Sequence, residues 1–277
     1  MLGEGFVAQS THDVTVVGRR VVKHYRSWDE GEPEREWAGL TLLHRFAPGL
    51  APEPLEQRVD GGAPVVVMRC LPRQPLGSDP LSHEQVTALG QTMRRMHAAV
   101  PMDELRHVPQ RRWGPAELIP TVRSWVRDPH EQASASVESA LRTATAWLAG
   151  STVTSLAGPL AECVFTQADG NIGNFLWDGE RCYVVDFEDS GISDPAYEVA
   201  DLVEHVSVWL PGLIDVRDLT AVLGFTPEQE GRLLDFRRLM AVFWLLMLLP
   251  GNPGHSRNPR GSVDRQAQRV LALLKAQ

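Results

Sequence analysis

The pattern of hydrophobic and polar positions over the first seventy residues reads as mostly strand. Phe6–Gln9, Val14–Val17 and Arg20–Tyr25 read as a three-stranded antiparallel meander, joined by the polar turn Ser10–Asp13 and by Gly18-Arg19. After the polar stretch Ser27–Pro33, residues Trp37, Leu40, Leu42 and Leu43 fall near helical spacing, and the helix should stop before Pro48-Gly49. Pro54–Val59 and Ala63–Met68 are two more strands, and Asp60-Gly61-Gly62 between them is a hairpin turn signal. Leu71–Gly77 is a Pro-rich crossing suited to a linker.

Beyond that crossing the period changes to helical. Ser82 and Gln85 form a capping box, and Val86, Leu89, Met93, Met96 and Val100 mark one apolar face. Leu118–Val126 and Val137–Leu148 read as further helices. Three short apolar strands follow, Cys163–Thr166, Phe175–Trp177 and Cys182–Val185, the last two turned by Asp178-Gly179. From Ala196 the pattern is helical again, with Val199, Leu202, Val203 and Val206 on one face, and Gln229–Leu249 and Arg265–Leu274 complete the chain. The pattern predicts an α+β, two-lobed molecule. Residues 1–70 form a small antiparallel-sheet lobe with one helix. Residues 71–277 form a larger, mainly helical lobe, with the hinge near 69–73 and a cleft between the two.

Composition narrows the class. The chain has 277 residues, a net charge of −8, 43% hydrophobic and 22% charged residues, which is ordinary globular usage. No basic field favours nucleic acid or an anionic membrane. The longest apolar run, Met240–Leu249, is too short to span a bilayer, and the N-terminus lacks the features of a signal peptide. Cys70, Cys163 and Cys182 are sparse and unpaired in pattern, as expected of reduced thiols in a cytoplasmic protein. Lys23 and Lys275 are the only lysines among 27 basic residues, so a lysine inside a strand draws notice.

The chemistry concentrates in Thr166-Gln-Ala-Asp-Gly-Asn-Ile-Gly-Asn-Phe-Leu-Trp-Asp-Gly and Tyr183-Val-Val-Asp-Phe-Glu-Asp. Asp169 and Asn174 share a glycine-containing loop. A hairpin of Phe175–Trp177 with Cys182–Val185 would fold Asp186 back beside Asn174. Two oxygen donors at one point suit a hard cation such as Mg²⁺, and Asp169 is then placed to accept a proton from a hydroxyl.

This spacing resembles the catalytic and metal-binding loops of the aminoglycoside phosphotransferase family, a branch of the protein-kinase-like fold that includes choline kinases. Gly191-Ile-Ser-Asp-Pro-Ala-Tyr-Glu-Val-Ala, Leu89-Gly-Gln-Thr-Met-Arg-Arg-Met-His, Val21-Val-Lys-His-Tyr and Arg35-Glu-Trp-Ala-Gly-Leu resemble further motifs of that family, in order. The resemblance implies an ATP- and Mg²⁺-dependent transfer of the γ-phosphoryl group to a small-molecule hydroxyl. It makes Asp169 the base and Asn174 and Asp186 the metal ligands. Lys23 would reach the α/β-phosphates, oriented by Glu36. Ser10 and Thr11 would cover the phosphates, and the main chain of Arg69–Leu71 would bond adenine. Asp194 would brace the catalytic loop from the start of its helix.

Two positions depart from that pattern. Gln167 stands where the family has histidine, and no glycine lies between Val7 and Gly18. These departures keep a nucleotide-binding pseudokinase among the alternatives, beside metabolic kinases of the sugar, choline or homoserine type. Between Ala161 and His205 there are eleven acidic residues and one basic residue, Arg181. The surplus is either a solvated face or an acidic floor for a cationic substrate such as an aminoglycoside or cyclic peptide antibiotic. Glu188, Asp189, Asp201 and Glu204 are the candidates for that floor. Antibiotic inactivation is then a plausible role.

Overall fold

The computed structural model describes residues 12–275 except 72, 78, 129–133 and 161. The strand expected at Phe6–Gln9 and the residues Ser10 and Thr11 lie outside the described residues. The first lobe contains β1 (Asp13–Val17), β2 (Arg20–His24), α1 (Glu32–Phe46), β3 (Pro54–Asp60) and β4 (Ala63–Arg69). The strands form one antiparallel sheet in the order β1-β2-β4-β3. Its β3–β4 turn is Gly61-Gly62, with φ of 58° and 88°, a left-handed pair that glycine adopts without a Cβ clash. Val65, Val66 and Val67 of the central strand β4 are buried. Leu40 and Leu43 of α1 share one apolar cluster with Val66 and Met68, each leucine contributing about 1.5–3 kcal/mol by burial. Lys23 lies opposite Val66 in the register, so its side chain leaves the sheet on the face that α1 covers.

The crossing segment leads into β5 (Gln74–Pro75), then α2 (His83–His97), α3 (Met102–Leu105), α4 (Pro115–Trp125), α5 (Ala135–Leu148) and α6 (Ser151–Leu156). Strand β6 (Val164–Thr166), a 3-10 turn (Ile172–Asn174), β7 (Phe175–Trp177), β8 (Cys182–Val184) and β9 (Gly191–Ser193) follow. The chain ends in α7 (Pro195–Glu204), α8 (Val206–Trp209), α9 (Val216–Leu223), α10 (Pro227–Leu248), α11 (Pro253–Arg257) and α12 (Ser262–Lys275).

The capping box that opens α2 is reciprocal: Gln85 N–H donates to Ser82 Oγ, and Ser82 N–H donates to Gln85 Oε1. Every residue of α7 is buried, and α10 packs along it. Five short helices (α3, α6, α8, α9 and α11) and the strands β5 and β9 were not expected from the pattern. They are two to eight residues long, too short to show a period. Strand β9 exists because Gly191–Ser193 pairs with β6, not because its residues favour a strand.

Helix α1 is tied to the second lobe at two points. Arg35 Nη1 donates to the carbonyls of Gln110 (3.0 Å) and Ser190 (3.1 Å). Arg112 pairs with Glu30, Glu32 and Asp189. At Gly39 an added Cβ would lie 2.8 Å from Ser190 Oγ and 3.1 Å from Phe187 Cβ, so this absent side chain lets helix and loop meet.

Candidate active site

The β7–β8 hairpin pairs Phe175 with Val184, and Val185 N–H donates to the Asn174 carbonyl at 3.0 Å. Asp186 therefore emerges next to Asn174. From the other lobe Lys23 enters this junction. Its Nζ lies 2.9 Å from Glu36 Oε2, 2.5 Å from Asp186 Oδ1 and 2.6 Å from Glu188 Oε2. Helix α1 and the segment after β8 thus meet on the ammonium of Lys23, a residue only 5% exposed. Burial opposes the charge on Lys23, but Glu36, Asp186 and Glu188 outweigh it and hold its pKa well above the ordinary value. Burial raises the Glu36 carboxyl, and Lys23 offsets part of that.

The loop after β6 is fixed almost atom by atom. Asp169 Oδ1 accepts from Asn171 N–H at 2.9 Å, and Oδ2 accepts from Asn174 Nδ2 at 2.7 Å. That contact leaves Asn174 Oδ1 as the oxygen available to a cation. Ile172 N–H donates to Ser207 Oγ of α8, and Gly170 lies so close to the Asp201 carbonyl that no Cβ would fit. Burial pushes Asp169 up to about 7, with the charge of Asp186 adding to the shift.

Gln167 joins the two loops. Its Oε1 accepts from Asp169 N–H at 3.1 Å, and its Nε2 donates to the Asp186 carbonyl at 2.7 Å. Ala168 and Asp186 both have left-handed backbones, with φ of 71° and 69°. A non-glycine residue is held there only by its surroundings, and such strain gathers at functional sites.

Glu36, Asp186 and Glu188 each offer an oxygen within 4.8 Å of the others. The Lys23 ammonium occupies that cluster, and Asp186 and Asn174 carry the oxygen donors, the chemistry that Mg²⁺ takes. His12, buried just before β1, places Nε2 3.0 Å from Glu188 Oε2. Burial works against the Glu188 carboxylate, yet His12 and Lys23 pull it down to about 2.

A family model described as "Phosphotransferase enzyme family" matches residues 2–234 of this chain. The chain belongs to that family. No curated protein matches the sequence. Among solved structures the phosphotransferase resembles a choline/ethanolamine kinase family protein from Mesorhizobium loti, at 20% identity over 99% of this chain and 88% of that one, with a TM-score of 0.64. It also resembles choline kinase LicA from Streptococcus pneumoniae, at 16% identity over 98% and 92% of the two chains and a TM-score of 0.63. A third is a thermostable mutant of aminoglycoside phosphotransferase APH(4)-Ia in a ternary complex with ADP and hygromycin B. It is 20% identical over 95% and 88% of the chains, with a TM-score of 0.62. At these identities the likeness is one of fold.

The structure bears on three expectations for this phosphotransferase. Glu204 is fully buried and pairs with Arg237 and Arg269, both 2.7 Å away, so it faces no substrate. Asp201 is 7% exposed and pairs with Arg111 at 2.8 Å. Asp189 pairs with Arg112, and Glu188 with Lys23 and His12. The acidic segment is thus matched largely by arginines from elsewhere in the chain rather than forming an open floor. Asp194 stands at the start of its helix as expected, where it caps α7 through Ala196 N–H and pairs with Arg232 at 2.5 Å. The main chain at Arg69–Leu71 is also partly engaged: Arg69 N–H donates to Glu53 and Cys70 N–H to Arg19. Leu71 N–H has no backbone partner among the described residues. Among those residues no helix is long and apolar enough to cross a membrane, and the three cysteines are free thiols.

Two participants escaped the sequence. His12 stands beside the expected phosphate-covering residues in the same polar turn, a proximity that could have flagged it. Arg111 carries no motif at all.

Proposed function

We propose that this phosphotransferase moves the γ-phosphoryl group of ATP to a hydroxyl of a small molecule, in a cleft between residues 1–70 and 71–277 with its hinge near 69–73. The observation that carries this reading is Lys23, gathered with Glu36 and Asp186 while Gln167 ties Asp186 to the loop of Asp169. Lys23 neutralises phosphate charge, and Glu36 keeps its ammonium aimed. Leu71 N–H and the Arg69 main chain meet the adenine edge, and Ser10 and Thr11 close over the phosphates. Asp169 accepts the proton of the attacking hydroxyl at the carboxylate that Asn171 and Asn174 hold in place. A pKa of about 7 is near the optimum for a base working at neutral pH. Asn174 and Asp186 would hold Mg²⁺, which neutralises charge on the triphosphate.

The acceptor is a small alcohol; a cationic aminoglycoside is the narrower form of the proposal, with antibiotic inactivation as its role. The test is Mg²⁺-dependent ATP consumption across hydroxylated aminoglycosides, cyclic peptide antibiotics, choline, homoserine and sugars. Product is detected as a mass gain of about 80 Da, one phosphoryl group. Nucleotide binding with no turnover on any acceptor would favour a pseudokinase; absence of nucleotide binding would overturn the reading.

A further inference from the structure

Arg111 lies on the segment between α3 and α4 and is 6% exposed, yet nothing above gives it a role in the reaction. Its guanidinium uses four donor contacts in four directions. Nε donates to the Arg112 carbonyl at 2.9 Å and Nη1 to Glu198 Oε1 at 2.6 Å. Nη2 donates to Asp201 Oδ2 and to the Ala168 carbonyl, each at 2.8 Å. Its ring partner is Tyr197, whose centroid lies 4.9 Å from the guanidinium carbon. A buried arginine that only balanced the carboxylates of α7 would have no need of the Ala168 carbonyl.

That carbonyl belongs to the residue before Asp169, whose own φ is 71°. The peptide joining Ala168 to Asp169 is therefore gripped from both sides. Arg111 holds its oxygen, and Gln167 Oε1 accepts its N–H. Arg111 is itself anchored to the sheet that delivers the loop. Its N–H donates to the Ile192 carbonyl at 3.1 Å, Ile192 N–H donates to the Pro109 carbonyl at 2.9 Å, and Ile192 belongs to β9, which pairs with β6. Gly191 permits this approach, since an added Cβ there would overlap the Arg111 backbone nitrogen. Sheet, arginine and loop form one closed frame around the peptide that aims the base.

We infer that Arg111 is a positioning residue: it holds the left-handed Ala168–Asp169 peptide so that the Asp169 carboxylate faces the acceptor hydroxyl. The inference rests on the phosphotransfer reading for its catalytic meaning. Lysine cannot replace arginine here, because three donors on one ammonium cannot reproduce a planar fork that spans two carboxylates and two carbonyls.

The test compares the wild-type chain with Arg111→Lys, which keeps the buried charge. A second variant, Arg111→Met with Glu198→Gln and Asp201→Asn, removes the cation and both carboxylates together, so no buried charge is left unpaired. Three readouts are taken: Mg·ATP hydrolysis with water as acceptor, ADP affinity, and hydrogen exchange of the amides at 168–174 against those of α2 and α10. The expected result in both variants is a fall in kcat of about tenfold or more, the worth of one lost charge-assisted hydrogen bond. ADP affinity should stay within about threefold, a fraction of that worth, and exchange should be faster at 168–174 while α2 and α10 are unchanged. A purely structural arginine would instead lower protection everywhere and leave kcat per folded molecule intact; that result, or an unchanged loop with unchanged kcat, overturns the inference. A wild-type chain that neither binds ADP nor consumes ATP overturns the phosphotransfer reading first, and the catalytic meaning of Arg111 falls with it.

Discussion

Gln167 donates through Nε2 to the backbone carbonyl of Asp186 across 2.7 Å, while its Oε1 accepts the Asp169 N–H. One amide therefore sets the separation of Asp169 and Asp186. Histidine can meet the same donor requirement, since a ring N–H reaches a carbonyl as an amide N–H does. Gln167→His should retain most of the activity. Gln167→Ala should lower kcat about tenfold, equivalent to one hydrogen bond of about 1–1.5 kcal/mol, with a modest loss of melting temperature. Gln167→Glu should fall further, because a carboxylate facing a carbonyl repels it. ATP turnover of the three variants, normalised to folded protein, checks the order.

Asp169→Asn keeps the shape of the side chain and loses the basic oxygen. Turnover should drop by about 10²–10⁴-fold, the range of a general base, with ADP affinity unchanged. Near-normal turnover in this variant would remove Asp169 from the role of base.

Lys23 is the counter-charge for Glu36, Asp186 and Glu188 at once. Lys23→Met should abolish productive nucleotide binding and also destabilise the fold at neutral pH by about 3–5 kcal/mol, because Glu36 is left buried and unpaired. Lys23→Met with Glu36→Gln should recover much of the stability and none of the activity. Urea unfolding of the single and double variants, beside calorimetric ADP binding, separates the two effects.

Acid should destabilise the protein through His205. Burial holds its pKa at about 3, against an ordinary value of 6.5. Above pH 6.5 neither the folded nor the unfolded chain takes the proton, and stability is unaffected by this group. As pH falls from 6.5 towards 3, only the unfolded chain takes it up. Stability then falls by about 1.4 kcal/mol per pH unit, or about 2 kcal/mol between pH 6.5 and 5. His97, lowered to about 4 by burial, adds a second decline in the same direction. His205→Asn keeps an oxygen that can accept from Ser207 N–H and should flatten the acid limb. Denaturant unfolding at pH 7 and pH 5 measures the difference.

The meeting of Asp186 with Asn174 was legible in the sequence, since a short hairpin enforces it. Phe175 opposite Val184 is enough to bring Asp186 to Asn174. Strands β1–β4 and β6–β8 and helices α1, α2 and α10 were legible because each has a period, a turn signal or a cap. The partners of Asp201, Glu204 and Asp194 were not. Arg111, Arg269, Arg237 and Arg232 lie 33 to 90 positions away, and no local pattern announces a pairing set by how α7 meets its neighbours. Counting charge within the segment from Ala161 to His205 thus suggested an open acidic surface where the folded chain has mostly neutralised pairs. The prior engagement of the Arg69 and Cys70 N–H groups and strand β9 were hidden for the same reason: each is defined by a segment that arrives from elsewhere.

The scarcity of lysine has a practical consequence. A protease that cuts only after lysine finds one site near the end of the chain, at Lys275, and one other, at Lys23 in the middle strand pair of the first sheet. Lys23 is 5% exposed and hydrogen-bonded strands flank it, so the intact molecule offers that peptide bond no access. Cleavage there must wait for the sheet to open, and its rate counts the molecules in which the first lobe has come apart while the second need not have. Digestion with such an enzyme is therefore a built-in gauge of one lobe alone. A nucleotide that seals the cleft should slow it in proportion to its occupancy.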